Sequence, residues 1–150
     1  MRKVGNVTGR LHSVRTGNIE YPSISVLVVE DHEPFRRFVC ATVHEQPHFR
    51  VIGEVDDGLE AVLEAEALQP DLILLDIGLP RLNGIEAARR IRDRVPNARI
   101  IFFTQESSDE IVREAFALGA WGYVIKVQAG NELLAAVEAV MQGKRFVSMD

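Results

Sequence analysis

The sequence holds a single cysteine, Cys40, in 150 residues. No intramolecular disulfide can form, so stability has to come from packing. A reducing, cytoplasmic setting fits that usage. Basic charge is also scarce: 17 Lys and Arg face 22 Asp and Glu, for a net charge of −5. A duplex nucleic-acid surface needs a basic stripe, and direct nucleic-acid binding by this chain is not expected. No apolar run approaches the roughly 18 residues that span a bilayer, so no membrane association is expected either. Arg2, Lys3, Arg10 and Arg15 have no apolar stretch behind them, unlike a secretory signal. There is no Walker-type glycine-rich phosphate loop, and hence no nucleotide site of that kind. Repeats and low-complexity segments are missing too.

What is present reads as one globular domain, with 47% hydrophobic and 26% charged residues. Residues 1–22 show neither helical nor strand periodicity, and Gly5, Gly9, Gly17 and Pro22 interrupt them. They are expected to form a flexible N-terminal extension. Residues 23–148 are expected to be the domain, and 149–150 a short tail. Within the domain, short apolar runs alternate with helical stripes. The runs begin at Ile24, Leu72, Ile100 and Tyr123, and suit strands buried on both faces. Phe49 to Val55 alternates more, as an edge strand does.

Five stripes have helical spacing. The first holds Phe35, Phe38, Val39, Thr42 and Val43, with Pro34 suited to its first turn. The second holds Leu59, Val62, Leu63 and Ala67; the third, Ile85, Ala88 and Ile91. Ile111, Val112, Ala115 and Phe116 form the fourth, and Leu133, Leu134, Val137, Val140 and Met141 the fifth. Strands alternating with helices imply an α/β fold with a parallel sheet.

The polar residues collect where the runs stop. The first run ends in Glu30-Asp31, the third in Asp76, the fourth in Thr104 and the fifth in Lys126. In a parallel sheet these ends point one way, and open α/β sheets bind ligands there. Three carboxylates, a hydroxyl and an ammonium thus share one rim. Carboxylates so gathered repel one another and need neutralising. Lys126 supplies one charge, and a hard cation such as Mg²⁺, which takes few carboxylates and keeps several waters, suits the remainder. Such a set fits phosphoryl transfer, with a carboxylate as nucleophile.

These motifs resemble the receiver domain of bacterial two-component response regulators. The segments are VLVVEDHEPFRR (26–37), VDDGLEA (55–61), DLILLDIGLPRLNGIEAARRIR (71–92), FFTQ (102–105) and GAWGYVIK (119–126). QGKRFVS (142–148) is similar to the segment that closes the receiver in the LuxR- or NarL-like subfamily. The resemblance implies a flavodoxin-like (βα)5 fold: a five-stranded parallel sheet in order 2-1-3-4-5 with helices on both faces. It implies Asp76 as phosphoacceptor, and Glu30, Asp31, Asp76 and the backbone carbonyl of Gly78 as the Mg²⁺ site. It implies Lys126 against the phosphoryl oxygens, Thr104 moving toward them, and Tyr123 as the rotameric aromatic of the switch. Partners implied are a histidine kinase or phosphotransfer protein, an unknown output protein and, as one arrangement, a second copy in a homodimer.

The sequence departs from the pattern in places. Val127 follows Lys126 where many members have proline, and bulky Gln105 stands where a small residue is common. The chain stops at Asp150, where NarL-like regulators begin a linker to a DNA-binding domain. Output by protein contact is therefore expected, and the resemblance implies a switch rather than an enzyme. A small Mg²⁺-dependent aspartate-nucleophile phosphatase or phosphotransferase is the rival reading. It usually needs a second acid/base aspartate close behind the nucleophile, where Gly78 stands. A degenerate receiver acting only as a binding module is the other. Taken singly, Asp76 and Thr104 could be turn caps and Tyr123 a core aromatic. The rim that Asp76 and Thr104 share with Glu30, Asp31 and Lys126 favours the functional reading for those two, while Tyr123 stays open between core and switch. Cys40 is read as a plain helix residue, and His32, His44 and His48 lack metal-ligand spacing with any cysteine.

Overall fold

The computed structural model describes residues 13–16, 19–105 and 108–148, with side chains from Ser23 onward. The chain runs β1 (Ser13–Thr16), β2 (Ile19–Pro22), β3 (Ile24–Val29), α1 (Glu33–His44), β4 (Phe49–Val55), α2 (Gly58–Leu68) and β5 (Leu72–Asp76). It continues α3 (Gly84–Arg94), β6 (Arg99–Thr104), α4 (Asp109–Ala117), β7 (Gly122–Ile125), a 3₁₀ turn (Lys126–Gln128), α5 (Ala129–Met141) and β8 (Phe146–Val147).

Strands β3 to β8 form one parallel sheet in the order β4-β3-β5-β6-β7-β8. Counted from β3, the first five follow the expected 2-1-3-4-5 order, and β4 lies at the edge, in keeping with its alternation. The strand count needs correction: β8 adds a sixth. Gly143, at φ 85°, closes α5 in the left-handed region, which glycine enters without a Cβ penalty. The chain then turns back beside β7. Phe146 donates to the Trp121 carbonyl at 3.1 Å and Ser148 to the Tyr123 carbonyl at 2.8 Å. Two residues are too few to show a strand period.

Two short strands also occur in the N-terminal region. Ser13–Thr16 and Ile19–Pro22 pair antiparallel, from Ser13 opposite Pro22 to Thr16 opposite Ile19. They form a two-stranded sheet separate from the larger one. Gly17-Asn18 stands between them in sequence, and these residue types favour tight hairpin connections as well as interrupting a pattern. Residues 1–12 and 17–18 of the expected extension, and the tail at 149–150, lie outside the described residues.

Alternate residues of the buried strands feed two cores, as a pleat of period two requires. Leu27, Val29, Ile73, Leu75, Phe102 and Tyr123 face α2, α3 and α4. Val26, Val28, Leu72, Leu74, Phe103 and Val124 face α1 and α5. Four helices bury much of the expected stripe, although Phe38 of α1 is partly exposed. Helix α2 does not. Its buried residues are Gly58, Ala61, Val62 and Ala65, while Leu59, Leu63 and Leu68 are exposed. A Cβ on Gly58 would lie 1.7 Å from the Leu82 carbonyl oxygen. Close approach therefore selects the small-residue side of α2 over its leucines.

Candidate functional site

The sheet delivers β3, β5, β6 and β7 to one rim, and the loops beyond them form a cleft of about 570 Å³. Asp31, Asp76, Gly78, Thr104, Gln105 and Lys126 all line it. Two glycine and backbone contacts set the rim. Ile77 donates to the Phe103 carbonyl at 3.0 Å, carrying the ladder past Asp76. Gly84, the first residue of α3, donates to the Ile77 carbonyl at 2.7 Å. A Cβ on Gly84 would stand 2.1 Å from the Asp76 carbonyl oxygen, so glycine alone lets α3 start so close to the strand end.

Asp76 sits at the floor, 3% exposed, and Glu30 beside it is fully buried. Asp31 is exposed on the mouth. One oxygen from each of these three carboxylates lies within 4.8 Å of the others. Lys126 Nζ is 2.9 Å from Glu30 Oε1 and 3.3 Å from Asp76 Oδ1. It donates an aligned hydrogen bond to Glu30 Oε2 at 3.0 Å, which also accepts from the His32 backbone N–H at 3.0 Å. Glu30 Oε1 keeps the ion-pair contact without a hydrogen bond. Asp76 Oδ1 accepts from the Gly78 N–H at 3.2 Å. Burial, with the Glu30 charge next in weight, pushes the Asp76 carboxyl up to about 6 against the opposing pull of Lys126.

The donor set fits a hard divalent cation. Asp31 and Asp76 offer oxygens to the cleft, and the Glu30 carboxylate lies buried beside them, ion-paired to Lys126. Because Lys126 already holds Glu30, that carboxylate suits a water-mediated place better than direct ligation. An exposed Gly78 at the cleft is compatible with a carbonyl ligand.

The structure brings Glu30, Asp31, Asp76, Gly78, Thr104 and Lys126 together, in accord with the strand-end pattern. Thr104 is nearly buried at the end of β6. Tyr123 is not in the cleft. It is fully buried among the core residues facing α2 to α4. Two residues escape the sequence reading. Phe35 of α1 places its ring 5.1 Å from the Lys126 ammonium and packs edge-on against Phe103 at 5.2 Å. Arg36 donates to the Glu30 carbonyl at 2.9 Å and pairs with Glu54 at 3.4 Å. Both lie in a helix whose stripe announces packing only, so no local signal marks them. Cys40 is inert by contrast: burial and then Glu54 push its thiol up to about 12. Among the described residues no peptide bond is cis, including the one between Lys126 and Val127. None of the described helices is long and apolar enough to cross a membrane.

The chain is similar to known proteins. The family model of the response regulator receiver domain matches residues 26–138. DevR/DosR, a DNA-binding transcriptional activator of Mycobacterium tuberculosis, is 38% identical over 124 residues, which are 83% of this chain and 57% of that protein. The nitrate/nitrite response regulator NarL of Escherichia coli is 33% identical over 124 residues, again 83% of this chain and 57% of that protein. The chain thus spans about half the length of the curated relatives it matches. The crystal structure of a LuxR-family two-component response regulator from Aurantimonas superposes with a TM-score of 0.78 at 34% identity, covering 83% of this chain and 89% of that one. With the flavodoxin-like α/β fold, the strand-end acidic cleft and these matches in place, the chain belongs to the response regulator receiver domain family, among relatives of the LuxR/NarL type.

Proposed function

We propose that this domain is a phosphorylation-dependent switch whose phosphoacceptor is Asp76. The observation that carries the reading is the Asp76 carboxylate on the cleft floor, with an ammonium 3.3 Å away and two further carboxylates beside it. A histidine kinase or phosphotransfer protein would present a phosphohistidine to the cleft. An Asp76 oxygen attacks phosphorus, the P–N bond breaks, and an acyl phosphate forms while the imidazole keeps the electron pair and takes a proton. Lys126 pairs with the phosphoryl oxygens and offsets the added negative charge. Asp31, Asp76 and the Gly78 carbonyl would hold Mg²⁺, with Glu30 acting through water. When bound, the cation neutralises charge developing on the phosphoryl group.

Thr104, nearly buried at the end of β6, offers its hydroxyl to the same group. Its movement and that of Tyr123 on the neighbouring strand would bias the surface made by α4, β7 and α5. Output then runs through protein contact with an unidentified partner, or with a second copy of the chain. Gln105 at the cleft mouth narrows the path of water to the acyl phosphate.

Incubation with acetyl phosphate and Mg²⁺, read by intact mass, tests this. One phosphoryl group per chain, lost in Asp76→Asn, is the expected result. No labelling of the wild type, or labelling of the variant, overturns it. Sustained multiple turnover of the donor would favour the phosphatase reading instead.

A further inference from the structure

Ser148 ends the described chain at a position that its loop-like sequence context does not explain. It is 6% exposed, and it contacts the strand that leads to Lys126 through side chain and backbone alike. Its N–H donates to the Tyr123 carbonyl at 2.8 Å. Its hydroxyl accepts from the Ile125 N–H at 3.0 Å and donates to the Glu132 carboxylate. In a parallel ladder a backbone carbonyl would normally receive such an N–H. Here a side-chain oxygen does so, and a carboxylate from the first turn of α5 fixes the direction of that oxygen. Ile125 immediately precedes Lys126, whose ammonium bridges Glu30 and Asp76. Strand β8, two residues long, is also held beside β7 by the Phe146 N–H and by the Phe146 ring, which packs against the core, and by Arg145, which donates to the Ala120 carbonyl and stacks 4.8 Å from the Trp121 ring.

We infer that Ser148 is a positioning residue for the phosphoryl-transfer lysine. With Glu132, it locks the backbone at Ile125 and so aims Lys126 at the phosphoacceptor. The segment at the end of β8 and the cleft are then coupled. Anything that lifts β8 from β7 detunes Lys126, and a phosphoryl group that draws on Lys126 tightens the Ile125–Ser148 bond, since coupling between two sites is reciprocal. This rests on Asp76 being the phosphoacceptor.

The test measures the rate of Asp76 labelling by acetyl phosphate at saturating Mg²⁺ across donor concentrations, for wild type, Ser148→Ala, Ser148→Thr and Glu132→Ala. Misplacing a catalytic group from a distance costs rate at saturation. Ser148→Ala and Glu132→Ala are each expected to lower the saturating rate constant about threefold or more, with the final labelled fraction and the half-saturating Mg²⁺ concentration unchanged. Ser148→Thr, which keeps the hydroxyl, should recover most of the rate. A merely structural role would reduce the labelled fraction and leave the rate of the folded molecules alone. That result, or wild-type rates in both alanine variants, overturns the inference. If Ser148→Ala does not fold, Glu132→Ala, whose side chain is only half-buried, decides alone. Failure of the wild type to label at all would instead sink the assignment of Asp76.

Discussion

Asp76 and Glu30 are two nearly buried carboxylates with one lysine between them. Two negative charges and one positive leave a residual charge that burial makes expensive. The carboxyl of Asp76 is accordingly pushed up from 3.8 to about 6. A folded-state value above the unfolded one means that the native protein holds its proton longer. The metal-free domain therefore loses stability as pH rises from about 4 to about 6, and the loss is complete above that window. Each pKa unit is worth about 1.4 kcal/mol, so Asp76→Asn should stabilise the metal-free domain by roughly 2–3 kcal/mol at pH 7. The gain should vanish near pH 3.5. Urea titrations at the two pH values check this, and equal stability of variant and wild type at pH 7 would contradict it. Lys126→Met should act the other way. It leaves Glu30 buried and unpaired, a change that typically costs about 3–5 kcal/mol. Thermal melts with and without Mg²⁺ should show a large loss that the cation partly restores, because a ligand of the native state stabilises it by mass action.

At the scale of elements, close approach rather than bulk decides the geometry around the cleft. Gly84→Ala would place a methyl 2.1 Å from the Asp76 carbonyl oxygen, so α3 and the β5–α3 loop must shift. Chemical denaturation should show a loss of about 1–3 kcal/mol or more, as overpacked sites do, and Asp76 labelling should slow. A methyl added to Gly130 on α5 would meet nothing within 4 Å. Gly130→Ala should be neutral or stabilise by up to about 1 kcal/mol. The same logic explains why the sequence misleads at α2. Its leucines have helical spacing, but periodicity counts apolar residues and cannot weigh the short distance that Gly58, Ala61 and Ala65 permit. Strand β8 and the N-terminal hairpin are too short to carry a period. The buried runs of β3, β5, β6 and β7 are legible because they are apolar on both faces.

For the whole molecule, the site is legible for one reason: a parallel sheet points all its strand ends the same way. Once the runs are recognised, Glu30, Asp31, Asp76, Thr104 and Lys126 have to share a rim, although they are scattered over almost a hundred residues of chain. What that rule cannot supply is the supporting layer. Phe35 under Lys126, Arg36 on the Glu30 carbonyl and Ser148 on Ile125 follow from side-chain packing, which strand order does not encode. Nor does it place Tyr123, which the fold keeps inside the core rather than in the cleft.

The most direct measurement of the switch is intact-mass labelling of the domain with acetyl phosphate and Mg²⁺, followed by mapping of the modified residue. A phosphoacceptor at Asp76 predicts one Mg²⁺-dependent phosphoryl group per chain, located on that residue and absent from Asp76→Asn. Labelling at another residue, or none under conditions where Mg²⁺ measurably binds, would contradict it.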